Sequence, residues 1–204
     1  MRVALFGGTF DPPHRGHVAI ARAAADRFAL DTVFFAPAGR QPLKGNTATA
    51  SFEERLAMAT LTCMEDPRFA VSNLDAPLPD GSPNYTVDTL ARLATSLPDA
   101  TLFSLIGADS FRSLGHWREP QRLFELAEWI VVSRPGFDLP EHAEPEGMAL
   151  TDAQRARMHL LDSVHEDVSA TLLRSRLRDG DPSEDLLPPL VARYIQEQKL
   201  YRQP

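Results

Sequence analysis

Two hydrophobic periods alternate along this chain. Short apolar runs at 2–6, 32–36, 69–73, 101–106, 128–133 and 158–162 have the length and residue types of strands buried in a sheet. Between them, apolar residues recur at three- and four-residue steps, which predicts helices at 16–28, 51–64, 86–96, 170–179 and about 187–198. Val18, Ile20, Ala24 and Phe28 mark the inner face of the first helix, and Leu187, Leu190, Val191, Tyr194 and Ile195 that of the last. Ser51 with Glu54 three residues on forms a capping box for the second. Residues 109–126 must carry short helices, and 39–50 and 76–84 read as a polar and a proline-rich loop. The acidic stretch 136–151 lacks periodicity, which predicts a mobile loop or an assembly element.

Strands alternating with helices predict an α/β fold, a Rossmann-like parallel sheet with right-handed crossovers and helices on both faces. Ligands on such sheets bind beyond the carboxyl ends of the strands, where the strand order reverses. The 204 residues suit one domain, 1–204, with no repeat and no boundary.

Charge narrows the ligands. A net charge of −7 argues against broad attraction to nucleic acid or an anionic membrane, so an anionic ligand needs a local positive site. The start lacks the pattern of a signal peptide, no run reaches membrane-spanning length, and one cysteine gives no disulfide framework. A cytoplasmic protein is expected, with homo-oligomer formation left open.

The chemistry concentrates in one string, Phe6-Gly-Gly-Thr-Phe-Asp-Pro-Pro-His-Arg-Gly-His-Val18. It follows the first strand and opens the first helix, a junction that gathers backbone N–H groups at the positive end of a helix and favours phosphate. Gly7 and Gly8 permit close approach of a ligand, and His14 and His17 lie about one helical turn apart. The two histidines could instead be helix-cap or surface residues, or share a zinc ion. Structural zinc needs about four ligands, and Cys63, the one cysteine, lies in an apolar helical stretch.

The string resembles the Gly-Gly-Thr-Phe-Asp-Pro-x-His-x-x-His signature of the nucleotidyltransferase superfamily, specifically its bacterial nicotinate-nucleotide adenylyltransferases. Five further segments match the family's elements. Val168-Ser-Ala-Thr-Leu-Leu-Arg174 is similar to the family's Ile-Ser-Ser-Thr-x-Ile-Arg, with Ala170 in place of a serine; Ser169 could otherwise be a simple N-cap. Gly107-Ala-Asp109 resembles the Gly-x-Asp element at the adenosine, and Ser133-Arg-Pro-Gly136 the backbone bordering adenine. Asn84-Tyr-Thr-Val-Asp-Thr89 and Trp117 look like the elements that hold the nicotinate ring, although Thr86 could be only an N-cap and Trp117 only core. The loop 37–44 ends in Lys44 where the family has Pro-His-Lys, but Leu43 replaces the histidine.

The resemblance implies a nucleotidyltransferase-type fold and an enzyme that joins ATP to nicotinate mononucleotide, releasing pyrophosphate, in NAD biosynthesis. It assigns ATP to Gly7, Gly8, Thr9, Phe10, His14, His17, Gly107, Asp109, Arg134, Ser169, Thr171 and Arg174, with His14, His17 and Arg174 catalytic. The mononucleotide falls to Gly8, Thr9, Lys44, Tyr85, Thr86, Thr89 and Trp117. Mg²⁺ should bridge phosphate oxygens mostly with water, without a protein cage. The nicotinamide mononucleotide or another phosphorylated acceptor is the rival substrate, and a non-catalytic nucleotide sensor the rival class.

Overall fold

The computed structural model describes residues 1–40, 48–133, 143–162 and 168–202. Six strands, β1 (Arg2–Gly8), β2 (Thr32–Pro37), β3 (Phe69–Val71), β4 (Thr101–Gly107), β5 (Glu128–Val132) and β6 (Met158–Leu161), form one sheet. Every pairing is parallel and the order is β3-β2-β1-β4-β5-β6. The chain winds outward from β1 to β3, then returns to β4 on the other side of β1. The reversal lies between β1 and β4, the crevice where such sheets bind ligands.

Period-two alternation explains why both faces of this sheet are covered. Ala4 and Phe6 of β1 enter one apolar cluster, with Val18, Ala21, Ala24 and Ala25 of α1 (Arg15–Arg27) and Ala59 of α2 (Phe52–Thr62). Val3 and Leu5 enter the opposite cluster, with Val87, Leu90 and Leu93 of α3 (Thr86–Ser96). Phe111 of α4 (Ala108–Arg112) and Leu123 and Phe124 of α5 (Pro120–Leu126) complete that side. Each Leu- or Phe-sized side chain taken fully from water there stabilises the fold by roughly 1.5–3 kcal/mol. A third cluster joins Met58 of α2 to Leu173 and Leu177 of α7 (Ala170–Arg178) and to Val191 and Ile195 of α8 (Pro189–Glu197).

The predicted elements are present, with four differences. The second helix ends at Thr62 and tightens into a 3-10 turn over Cys63–Glu65, where burial pushes the Cys63 thiol up to about 12. Strand β3 stops at Val71. Leu187 is buried ahead of α8 rather than within it, and Leu190 is 39% exposed, because the inner stripe runs along Val191, Ala192 and Ile195. The described part of the 136–151 stretch is packed, with Met148 and Leu150 buried in the second cluster and Thr151 capping α6 (Asp152–Arg155). Two apolar anchors without a period hold it. No helix among the described residues is long and apolar enough to cross a membrane.

The segment after β1 is tied to remote parts of the chain by two buried side chains. The Asp11 carboxylate, 2% exposed, accepts from the Thr49 N–H (2.7 Å), the Ala50 N–H (3.1 Å) and the Tyr201 hydroxyl (2.8 Å). Arg55 donates to the carbonyls of Thr9 and Ala38 (both 2.8 Å) and of Ala50 (3.3 Å). Burial lowers the Arg55 pKa, opposed by the attraction of Asp11, and burial with the same carboxylate raises that of Tyr201. Tyr201→Phe removes one donor from a buried carboxylate, a loss of about 1–3 kcal/mol. Thermal unfolding should show a Tm lower by roughly 2–4 °C per kcal/mol for a chain of this size. An unchanged Tm would show that the hydroxyl bond adds nothing to stability.

Candidate active site

The glycine turn forms at the carboxyl end of β1, beside the reversal in strand order. Its backbone is unusual at Phe10, where φ is 49°, a left-handed conformation that side chains with a Cβ rarely adopt. The Phe10 ring is buried edge-on to Phe6 (5.5 Å between centroids) and to His17 (5.0 Å). What Phe10 can offer a nucleotide is therefore its backbone, while its ring braces a histidine. Nothing would meet a Cβ at Gly7, so one face of the turn is open.

His14 occupies the N-cap of α1 and His17 its third position. The His14 N–H donates to Nδ1 of His17 at 3.1 Å, so the His17 ring proton sits on Nε2 and that atom is the ring's donor. The imidazoles stack with centroids 3.7 Å apart. Gly16 is what permits this, since a Cβ there would lie 3.0 Å from Nδ1 of His14.

Arg174, from the far end of the chain, reaches the same turn. Its Nη1 donates to the Asp11 carbonyl at 2.7 Å and its Nη2 to the Thr171 hydroxyl at 3.3 Å. Ser169 stands at the N-cap of α7, yet its hydroxyl makes no capping hydrogen bond, and both Ser169 and Thr171 are exposed. Gly107 ends β4 next to the glycine turn, and Asp109 is exposed in the first turn of α4. Lys44 and Arg134 lie outside the described residues.

A cavity of about 430 Å³ opens on the other side of the glycine turn. Gly8, Thr9, Tyr85, Thr86, Thr89 and Trp117 all line it, as does Gly107. The residues expected to hold the mononucleotide are thus gathered in one cavity, apart from Lys44. Tyr85, not Thr86, is the N-cap of α3. The Trp117 indole N–H donates to the Ser113 hydroxyl (3.2 Å) and its ring meets Trp129 edge-on at 6.3 Å, so Trp117 is a cavity wall anchored in the core. The Thr89 hydroxyl is 2.7 Å from Asp75 Oδ1 and bonds it.

Asp75 and Arg118 also line this cavity, and sequence reading missed both. Asp75 lies in the loop before α3, with no periodicity to betray that its carboxyl turns inward. Burial raises its pKa, against the Thr89 hydrogen bond and the charge of Arg92. Arg118 follows Trp117 and carries no motif of its own. Asp11 and Arg55, which fix the turn, were invisible as partners because, the Arg55 bond to Ala50 aside, they meet residues 17–190 positions away.

Comparison with known proteins gives a consistent result. A family model described as cytidylyltransferase-like matches residues 5–176. A Streptomyces coelicolor protein named "Probable nicotinate-nucleotide adenylyltransferase" is 39% identical, the alignment covering 96% of this chain and 98% of that one. A Roseiflexus relative of the same name is 41% identical over 98% of each chain. Among solved structures, the Plasmodium falciparum nicotinic acid mononucleotide adenylyltransferase complexed with NaAD superposes with a TM-score of 0.75. That match is 17% identical and covers 98% of this chain and 97% of the other, so it speaks for the fold.

The partly buried Asp75 carboxyl in the cavity gives a stability prediction with a definite sign. A carboxyl whose folded pKa is raised is destabilising when ionised, so its penalty is absent below the ordinary carboxylate range and complete above the folded pKa. Asp75→Asn keeps an acceptor for Thr89 and removes the charge. Urea unfolding should find the variant gaining on the wild type as pH rises from the ordinary carboxylate range through the raised folded pKa. A difference that does not change with pH would mean that the Asp75 charge is not penalised.

Proposed function

This chain belongs to the nicotinate-nucleotide adenylyltransferases, and on that premise we propose how its two-sided glycine turn carries their reaction. The enzyme joins ATP and nicotinate mononucleotide to give nicotinate adenine dinucleotide and pyrophosphate, in NAD biosynthesis. The observation that carries the mechanism is the division of the site. The mononucleotide occupies the cavity walled by Trp117, and ATP lies across the turn beside His14, His17 and Arg174, all within one domain.

The mononucleotide's phosphate is already anionic at neutral pH, so no base has to activate it. Its oxygen attacks the α-phosphorus, the bond to the β-phosphate oxygen breaks, and pyrophosphate departs with the electron pair. The protein's task is alignment and stabilisation of the charge that builds on phosphate oxygens. The turn amides lie between the two substrates and serve both. His17 donates from Nε2 to the α-phosphate, a role its hydrogen bond from the His14 N–H prepares. Arg174 offers the pyrophosphate portion the donors that its bonds to Asp11 and Thr171 leave, in the planar geometry that suits phosphate.

Nucleotidyltransferases generally use metal ions, and Mg²⁺ suits this site as a companion of the triphosphate. Among the described residues no three His, Cys, Asp or Glu side chains converge on a metal position, and the Asp11 oxygens are taken by N–H and O–H donors. Its ligands would be phosphate oxygens and water, and when bound it would neutralise phosphate charge.

The acid is preferred over the amide because the first amides of α3, beside Tyr85 and Thr86, are donors only. A carboxylate accepts from them with both oxygens, whereas a carboxamide turned the wrong way leaves its NH₂ unpaired. Unmade buried hydrogen bonds of this kind cost about 1–3 kcal/mol, or roughly fivefold to 150-fold in selectivity. Pyrophosphate release from ATP with each mononucleotide tests the reading. A higher kcat/KM for the acid is expected, and equal values or a preference for the amide would overturn it.

Loss of one preorganised donor costs about 2.7–4 kcal/mol, or roughly 10² to 10³ in turnover. His17→Ala should therefore lower kcat by that factor while changing ATP affinity far less. A folded variant with wild-type kcat would remove His17 from the mechanism.

A further inference from the structure

Arg118 lines the cavity beside Tyr85 and Trp117. Its guanidinium carbon stands 4.7 Å from the centroid of the Tyr85 ring, a cation–π distance, and both residues line the cavity. Tyr85 is the N-cap of α3, so the cation stacks on the side chain of the residue that opens this helix, whose first amides have no acceptor within the helix. Trp117, the preceding residue, supplies the wall against which a pyridine ring would lie.

The backbone builds this placement deliberately. Glu119 has φ 50° and ψ 58°, a left-handed conformation at the N-cap of α5. Such a conformation is strained in a residue with a Cβ and persists where surrounding structure enforces it. It turns the chain sharply after Trp117 and Arg118, before Pro120 opens the next helix. The Glu119 carboxylate does not neutralise Arg118 closely. Its contact with the Arg118 Nε is 3.8 Å, whereas it makes a 3.0 Å pair with Arg122.

The cavity is therefore asymmetric in charge. Asp75 lies within it as a partly buried acid whose ionisation desolvation disfavours, and Arg118 stands half exposed over Tyr85 as a permanent cation. His116 also lines it, 3.8 Å from Glu146. An acceptor carrying a ring carboxylate gains from the Arg118 guanidinium; the neutral carboxamide gains much less, because it brings no charge for the guanidinium to attract.

We propose that Arg118 is a specificity-determining residue, its guanidinium stabilising the ring carboxylate of the acceptor beside the N-terminus of α3. This rests on the reading of the cavity as the mononucleotide site. It predicts that the charge of residue 118, rather than its bulk, sets part of the preference for the acid.

The test is kcat/KM for nicotinate and nicotinamide mononucleotides with wild type, Arg118→Gln and Arg118→Lys, at low and moderate salt. Arg118→Gln should reduce the acid-to-amide ratio by about three- to tenfold, chiefly through KM for the acid, the range for a partly exposed charge contact. Arg118→Lys should restore most of the ratio, and the wild-type ratio should fall with salt while that of the Gln variant does not. A role confined to packing on Tyr85 would move both substrates together and leave the ratio constant, and that result would overturn the proposal. If the Gln variant does not fold, the salt dependence of the wild-type ratio decides, with a flat response counting against Arg118. Absence of adenylyl transfer to either mononucleotide by the wild type is a different outcome, which would overturn the functional reading itself.

Discussion

A buried carboxylate constrains the rest of this molecule. Removing Asp11 from water would cost several kcal/mol unless its oxygens found donors, and they find three: two amides at 49–50 and the hydroxyl of Tyr201. The same residue's carbonyl receives Arg174. One aspartate thus ties the glycine turn to the entrance of α2, to α7 and to the end of the chain. Arg55 secures the turn from the other side through three carbonyls. The strained Phe10 backbone is tolerable only because these bonds over-determine it.

This bracing matters because the reaction asks for so little covalent chemistry. With a nucleophile already charged and a phosphate leaving group, acceleration depends on donors fixed before the substrates arrive. The reversal of strand order between β1 and β4 supplies the crevice. The turn at its edge divides the crevice into a side with His14, His17 and Arg174 and a side with the aromatic-walled cavity. The two proposed binding surfaces meet on a shared backbone, while apolar clusters on both faces of the sheet hold the strands that carry it.

Much of this was legible in the residue order, for reasons that mark where legibility ends. Alternating periods gave the sheet and its helices, since a strand or helix declares its buried face locally. The string from Phe6 to Val18 announced the turn because glycine, proline and histidine must stand at fixed spacings to serve it. Leu190 was misplaced by a step of the helical wheel, and the 143–151 segment hid its anchors because two apolar residues make no period. Asp75, Arg118, Asp11 and Tyr201 were not legible as functional or organising residues. Their meaning lies in contacts between segments remote in sequence, and a lone aspartate or arginine in a loop has a surface role as its ordinary reading. Phe10 stands in the same string as a nucleotide contact; its ring lies against His17, which leaves its backbone for that role.

The central claim is that the phosphate oxygen of one substrate attacks the α-phosphorus of the other across the glycine turn. Nicotinate mononucleotide labelled with ¹⁸O in its phosphate, incubated with ATP and the wild-type enzyme, tests this directly by mass spectrometry of both products. The account predicts that all of the label stays with nicotinate adenine dinucleotide, one labelled oxygen becoming the bridge, and that the pyrophosphate is unlabelled. Label appearing in pyrophosphate, or AMP forming in place of the dinucleotide, would contradict it.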